Sequence, residues 1–420
     1  MSRIHLVNPD NHANPVSMRM PLLDAAFYLL DSARSPQDFA FIFHLRDPPD
    51  VDALEAGARS AMNRFPKSAA CVDGQKWIRR EDAQLKINCT ATIESFVSEA
   101  FDLRHQPPVK QALIGARLVT RFHHGAGDGL SAALWLGHQL NVAYGLEAIE
   151  RQRAPFGNLD LRRASTSVRR SQFAFDKASD PLWTSRSQRS GSRRWITISF
   201  PACDLQKACR RVGGFTYNDL LATCTLEVLS QWNNCRGGPP WPLLAAKSHR
   251  IGLWVPINVR REASTGFGNG TSRIRLYPRY NTGASLVEKC CEVRRQVSWT
   301  ARHGEWVVPE ISWLTRLPWS ITRPLLRGYL KLPSVDMATG VFSHASSWIG
   351  NAGEAFKHVE KIECVGLLHP RQNLAINAAT HGGQTCLTLT YDRRQWDVDD
   401  VRQLAEMYEQ QIAVAQQELL

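Results

Sequence analysis

Between residues 113 and 140 the chain runs from an extended apolar stretch, LIGARLVTRF, through HHGAGDG into the apolar-periodic segment 130–140. The β-branched run before the turn predicts a strand, and the apolar spacing after it predicts a helix. A strand feeding a helix through such a turn belongs to an α/β scaffold, which holds the turn's side chains on a rigid frame where chemistry can be presented. Glycines at 125, 127 and 129 let the backbone turn tightly and let a substrate approach closely.

The rest of the chain is consistent with that class. Residues 21–30 predict a helix with Asp24 near its start, where the macrodipole favours a carboxylate. Residues 39–45 predict a strand, and 51–65 a helix ended by Pro66. In the second half, 195–200, 251–257, 272–276 and 385–391 read as strands, and 201–212, 216–232 and 397–419 as helices. Residues 154–194 lose periodicity and gather Arg and Ser. A chain of 420 residues exceeds what one hydrophobic core fills. The expected division is an N-terminal lobe over 1–155 carrying the glycine turn, a basic crossover over 156–194, and a C-terminal lobe over 195–420.

A formal charge of +12 favours an anionic partner: nucleic acid, a phosphate-bearing cofactor, an acidic carrier protein or a lipid surface. Arginines gather over 151–194 and 316–331, in neither case inside a nucleic-acid-binding motif, so no nucleic-acid partner is expected. The opening MSRIHLVNPDNHANPVS is not an apolar leader, and no apolar run is long enough to span a bilayer, which reads as a cytoplasmic protein. Ten cysteines without a C-x-x-C pair read as reduced, buried small hydrophobes, with no metal site.

A general base takes the proton of an attacking hydroxyl or amine, and donors stabilise an oxyanion that develops. Histidine suits the base role near neutral pH. Adjacent histidines at a strand end cannot both face one cleft, so His124 is assigned to the cleft and His123 to its support. A surface loop or a metal-binding pair is the alternative, which the complete seven-residue pattern disfavours. Asp128 is expected to hold the loop by pairing with a basic side chain, Arg117 of the preceding strand being the candidate.

Three further segments each carry two readings. Asn218 and Asp219 open a helix, either as its cap or as lining of a substrate tunnel. Residues 266–270, GFGNG, read as a turn placing a strand beside the site rather than as a phosphate cradle, because no lysine follows. Residues 306–331 interleave Trp306, Trp313, Trp319, Arg316, Arg323, Arg327 and Lys331, and no carboxylate stands between Glu310 and Asp336. That composition suits peripheral membrane contact, or else a helical hairpin with tryptophans turned inward and breaks at Pro318 and Pro324.

HHGAGDG resembles the HHxxxDG signature shared by chloramphenicol acetyltransferase, nonribosomal-peptide condensation domains, polyketide-associated acyltransferases and wax ester synthase/diacylglycerol acyltransferases. Pro21-Leu-Leu-Asp24-Ala-Ala-Phe27, Tyr217-Asn218-Asp219, Leu253-Trp-Val-Pro256-Ile-Asn-Val-Arg260 and Gly268-Asn269 resemble segments of the last group in their order. The resemblance implies two chloramphenicol acetyltransferase-like lobes, each a mixed sheet flanked by helices, with an active-site tunnel between them. It also implies a structural Asp128, a Gly129 near the oxyanion, and Ser343, Asn218 and Asn269 along the tunnel or at the oxyanion, in a monomer. The co-substrate would be acyl-CoA or acyl-phosphopantetheine, with no permanently bound cofactor, and the acceptor a small-molecule hydroxyl or amine. Ser343-His-Ala-Ser-Ser347-Trp departs from the Ser-Asn-Val-Pro-Gly of many relatives. Carrier-dependent amide formation and a catalytically silent binding module are the competing functional readings.

Overall fold

The structure, a computed structural model, describes residues 17–32, 35–80, 82–90, 92–146, 159, 161–162, 182, 184, 193–236, 251–261, 266–277, 283–306, 314, 316–331, 338–345, 353–368 and 374–420. Most of the expected crossover, and the segment from Ser346 to Trp348, lie outside them.

The first half begins with β1 (Ser17–Arg19), α1 (Leu22–Leu30), β2 (Asp38–Leu45), α2 (Val51–Arg64), β3 (Ala70–Asp73), β4 (Lys76–Arg79), β5 (Ile87–Asn88) and α3 (Ile93–Ser98). Then come β6 (Val109–Ile114), β7 (Arg117–His123) and α4 (Gly129–Ala143). Beyond the crossover lie β8 (Arg193–Pro201), α5 (Cys203–Val212), α6 (Tyr217–Cys235), β9 (Leu253–Asn258), β10 (Thr271–Leu276), α7 (Leu286–His303), α8 (Trp319–Lys331) and β11 (Gly340–Ala345). The chain ends with β12 (Val359–Val365), β13 (Leu374–His381), β14 (Gln384–Asp392) and α9 (Val398–Leu419).

These elements form a five-stranded sheet, β12-β2-β7-β6-β5, a six-stranded sheet, β10-β9-β11-β13-β14-β8, and a small sheet, β1-β4-β3. Both large sheets mix parallel and antiparallel pairs. The expected mixed α/β fold with two helix-flanked sheets is therefore the observed one. One strand changes allegiance: β12, from the C-terminal half, pairs antiparallel with β2 and completes the first sheet.

Burial on both faces explains the composition of β2, DFAFIFHL. Phe39, Phe41 and Phe43 pack in a core with α2 and α4, while Ala40 and Ile42 face a smaller cluster with Phe96 and Val97 of α3. In the second lobe α5, α6, α7 and α9 supply a separate core against the six-stranded sheet. Ala345 of β11 and Ala379 of β13 belong instead to the first core, so the second sheet turns part of its other face to the first lobe.

Local readings needed correction in four places. LIGARLVTRF is not one strand but the end of β6, a turn and most of β7, because Gly115 takes φ +59° and reverses the chain. The cap of α6 is Thr216, which accepts from the Asp219 N–H while the Asp219 carboxylate accepts the Thr216 N–H, so Asn218 is not the cap. Pro324 lies inside α8 rather than ending it. All ten cysteines are free, yet Cys89, Cys203 and Cys235 are exposed.

The C-terminal lobe is tied to the first sheet by a buried charge cluster. Asp38 Oδ2 accepts from Arg121 Nε and Arg193 Nη2, both at 2.9 Å, and the three side chains are at most 1% exposed. Burial alone would raise the Asp38 pKa, but Arg193 and Arg121 outweigh it and hold it at about 2. Other guanidinium nitrogens donate to carbonyls of Phe96, Val97, Glu99 and Asp38 itself, while Arg193 Nε is buried without a partner among the described residues.

Candidate active site

The HHGAGDG loop leaves β7 at its last paired residue. The His123 N–H donates to the Pro108 carbonyl (2.9 Å) and the His124 N–H to the Gln37 carbonyl (2.8 Å), so both neighbouring strands fix where the histidines emerge. Alternation then separates the two rings, as a strand end must. His123 is fully buried: its Nδ1 accepts the Gly125 N–H at 3.0 Å and its Nε2 lies 3.4 Å from Asp31 Oδ2. His124 is half-buried, stacked on Phe27 of α1 (centroids 4.1 Å apart) and edge-on to Phe39 (5.4 Å).

Asp128 is the N-cap of α4, its Oδ1 accepting the Ser131 N–H at 3.1 Å. The same oxygen receives Arg260 Nη2 at 2.6 Å, and Oδ2 receives the Gly270 N–H at 2.8 Å. Both charges are buried, at 4% and 2% side-chain exposure. The basic partner is thus Arg260 of the second lobe, not Arg117, whose side chain is exposed at the β6–β7 turn. Burial would raise the Asp128 pKa, but Arg260 and the two N–H groups more than offset this and leave it lowered. Arg260 Nη2 also donates to the Gly268 carbonyl (2.8 Å), as does Ser131 Oγ (2.8 Å). The GFGNG loop between β9 and β10 is thereby clamped onto the HHGAGDG loop across the lobe junction.

Asn269, at the tip of that loop, touches His124 twice. Its Oδ1 lies 3.1 Å from His124 Nδ1, and its Nδ2 donates to the His124 carbonyl at 2.7 Å. Nδ2 also donates to Asp24 Oδ1 at 2.9 Å. Asp24 is wholly buried, with Lys67 Nζ at 2.6 Å and Trp77 Nε1 at 3.0 Å from its Oδ2. It stands in the first turn of α1, as expected, with its carboxylate engaged by this network. Burial lowers the His124 pKa, and the Asp128 charge together with hydrogen bonds to the ring offsets only part of that.

His123, His124, Asp128, Gly129 and Asn269 are therefore brought together, Gly129 being the first residue of α4. Asn218, in the first turn of α6, and Ser343, in β11, share no hydrogen bond with His124 among the described residues. Ser343 lies on the face of β11 that carries Ala345, the face turned to the first lobe. Arg260, Asp24 and Lys67 were missed as site residues. The first two stand in segments already singled out, PLLDAAF and LWVPINVR, but neither segment states which distant group it meets.

Phe267 packs over Gly127, where an added Cβ would lie 3.0 Å from the Phe267 ring. That ring packs against Phe65 and Phe122, which limits how far it can shift. Gly127→Ala is expected to cost about 1–3 kcal/mol by overpacking, read as a lower urea midpoint with an unchanged slope.

A cavity of about 260 Å³ lies at the outer edge of the first sheet, lined by Lys86, Phe96, Lys110 and neighbours, away from the His124 loop. Among the described residues no group of three or more His, Cys, Asp and Glu side chains could hold a metal ion, and no helix is long and apolar enough to cross a membrane.

No family model matches the sequence, and no curated protein matches it. Solved structures match along almost its whole length. Trichothecene 15-O-acetyltransferase TRI3 from Fusarium sporotrichioides superposes with a TM-score of 0.67 at 11% identity, covering 95% of each chain. The starter condensation domain of rhizomide synthetase, solved as a mutant with C8-CoA and Leu-SNAC, gives 0.63 at 14%, covering 95% of this chain and 94% of that one. The cyclization-docking bidomain of EpoB from Sorangium cellulosum gives 0.63 at 14%, over 94% and 83%. The chain thus has the two-lobed condensation-domain and chloramphenicol acetyltransferase-like fold. Likeness to wax ester synthases rests on the sequence segments alone.

Proposed function

We propose that this protein transfers an acyl group from a thioester, on CoA or on a phosphopantetheinyl carrier, to a hydroxyl or amine, with His124 as general base. The observation that carries the reading is a half-buried histidine at the lobe junction, on a loop clamped from the other lobe, whose lowered pKa keeps it neutral near pH 7. A neutral imidazole can accept the acceptor's proton as the new bond to the thioester carbonyl carbon forms. When the C–S bond breaks, the imidazolium returns that proton to the departing thiolate. The Gly129 region and Ser343 would serve the oxyanion, and Asn218 would line the tunnel. Asp128 is fully engaged by Arg260, Ser131 and Gly270, which leaves it a structural part.

Thiol release with a panel of acyl-CoA donors, with and without alcohol and amine acceptors, tests the reading. Acceptor-dependent release is expected. Silence with CoA donors but transfer from an acylated carrier protein would assign the carrier-dependent reaction, and silence with both would leave only a binding module.

Trp306 is buried in the second core, while α8 exposes Ile321 (46%) and Leu325 (48%) one turn apart on one side, with exposed Arg323 and Arg327 roughly 120–160° round the helix from them. A peripheral contact with an anionic lipid surface would rest on the two apolar side chains, with the arginines to their flank. Ile321→Glu with Leu325→Glu is then expected to abolish co-sedimentation with anionic vesicles. Equal sedimentation of both forms would dismiss the contact.

A further inference from the structure

A neutral imidazole has two tautomers, and only the one protonated at Nδ1 leaves a lone pair on Nε2. At His124 the ring bonds both to the residue's own backbone and to Asn269, and the Asn269 contact can be read for direction. Only the Nδ2 end of that amide can donate, and it faces two groups that can only accept there: the His124 carbonyl at 2.7 Å and Asp24 Oδ1 at 2.9 Å. The reversed amide would set its oxygen against a carboxylate and a carbonyl at once. Asn269 Oδ1 is therefore the atom 3.1 Å from His124 Nδ1, and an amide oxygen can only accept, so Nδ1 carries the hydrogen.

Asp24 is what makes the amide's direction obligatory. Its carboxylate is 0% exposed, and Lys67, itself 4% exposed, meets Oδ2 at 2.6 Å together with the Trp77 indole N–H at 3.0 Å. That leaves Oδ1 as a fixed acceptor aimed at Asn269. We infer that Asp24 is a positioning residue: anchored by Lys67 and Trp77, it orients the Asn269 amide, which in turn holds His124 in the Nδ1–H tautomer with Nε2 open to a proton. The catalytic meaning of this relay rests on His124 being the base, while the tautomer itself does not.

The test reads the ring nitrogens of His124 by ¹⁵N–¹H correlation in the full chain, alongside kcat and KM. Wild type is expected to carry its hydrogen on Nδ1. Asn269→Ala should admit the Nε2–H form and lower kcat by about 10–100-fold with KM little changed, the range for losing a group that orients a functional histidine. Asp24→Asn should act in the same direction at greater distance. Because that single change strands a buried lysine, Asp24→Asn with Lys67→Met serves as the variant in which no unpaired charge remains. An Nε2–H tautomer in wild type, or an unmixed Nδ1–H tautomer in the double variant, would overturn the inference. A tautomer that shifts as stated with unchanged turnover would sustain the relay and remove His124 from the base role.

Discussion

Changing His124 to alanine is expected to slow acyl transfer about 10²–10⁴-fold while thioester affinity, followed by equilibrium titration, stays the same. Phe39, edge-on to the His124 ring, holds its place through its own packing, so the loss expected is one of proton transfer. The pH profile carries independent information. Only neutral imidazole accepts a proton, so the rate should fall as pH drops through the His124 pKa, and burial sets that value below the ordinary 6.5. Activity should accordingly persist to lower pH than a free histidine would allow. A single-turnover rate untouched by the substitution would end the general-base assignment.

Asp128→Ala is expected to bring the largest loss of stability, about 3–5 kcal/mol, because it strands the buried Arg260 charge. A guanidinium cannot shed its proton, whereas a carboxyl deprived of its arginine can take one up, so Arg260→Met should be milder. The sign of the pH effect follows from the lowered Asp128 pKa. Its contribution is fully present above the ordinary carboxylate value of 3.8 and is lost as pH falls through the lower folded value. Urea unfolding of the two variants at neutral and acid pH checks both points. Equal midpoints for wild type and Asp128→Ala would show that the clamp does not hold the lobes.

Much of this site is legible in the sequence, for a physical reason. His123 to Gly129 lie within one turn, and local spacing announces a local structure. The clamp and the relay were not legible in the same way. Asp128 meets Arg260 across 132 residues and Asp24 meets Lys67 across 43, and no periodicity connects such partners. Arg117 is a candidate partner only because it is near in sequence. The β6–β7 reversal was hidden because apolar residues continue on both sides of a tight turn, so the lone Gly115 was its sole signal. The strands β11 to β13 escaped for the same reason as the clamp: what makes β12 a strand is the open edge of β2, which lies far upstream.

That late pairing shapes how the protein must be made. The His44–Glu363 contact between β2 and β12 joins residues 319 positions apart. At about 5–20 residues per second, ribosomal synthesis leaves an interval of roughly 15–65 seconds between the two strands. Throughout it, DFAFIFHL has no native neighbour on one side, and an apolar unpaired edge is a template for the wrong partner. The newborn chain therefore carries an unpaired apolar edge through that interval, and its yield is expected to depend on translation speed downstream of the first lobe.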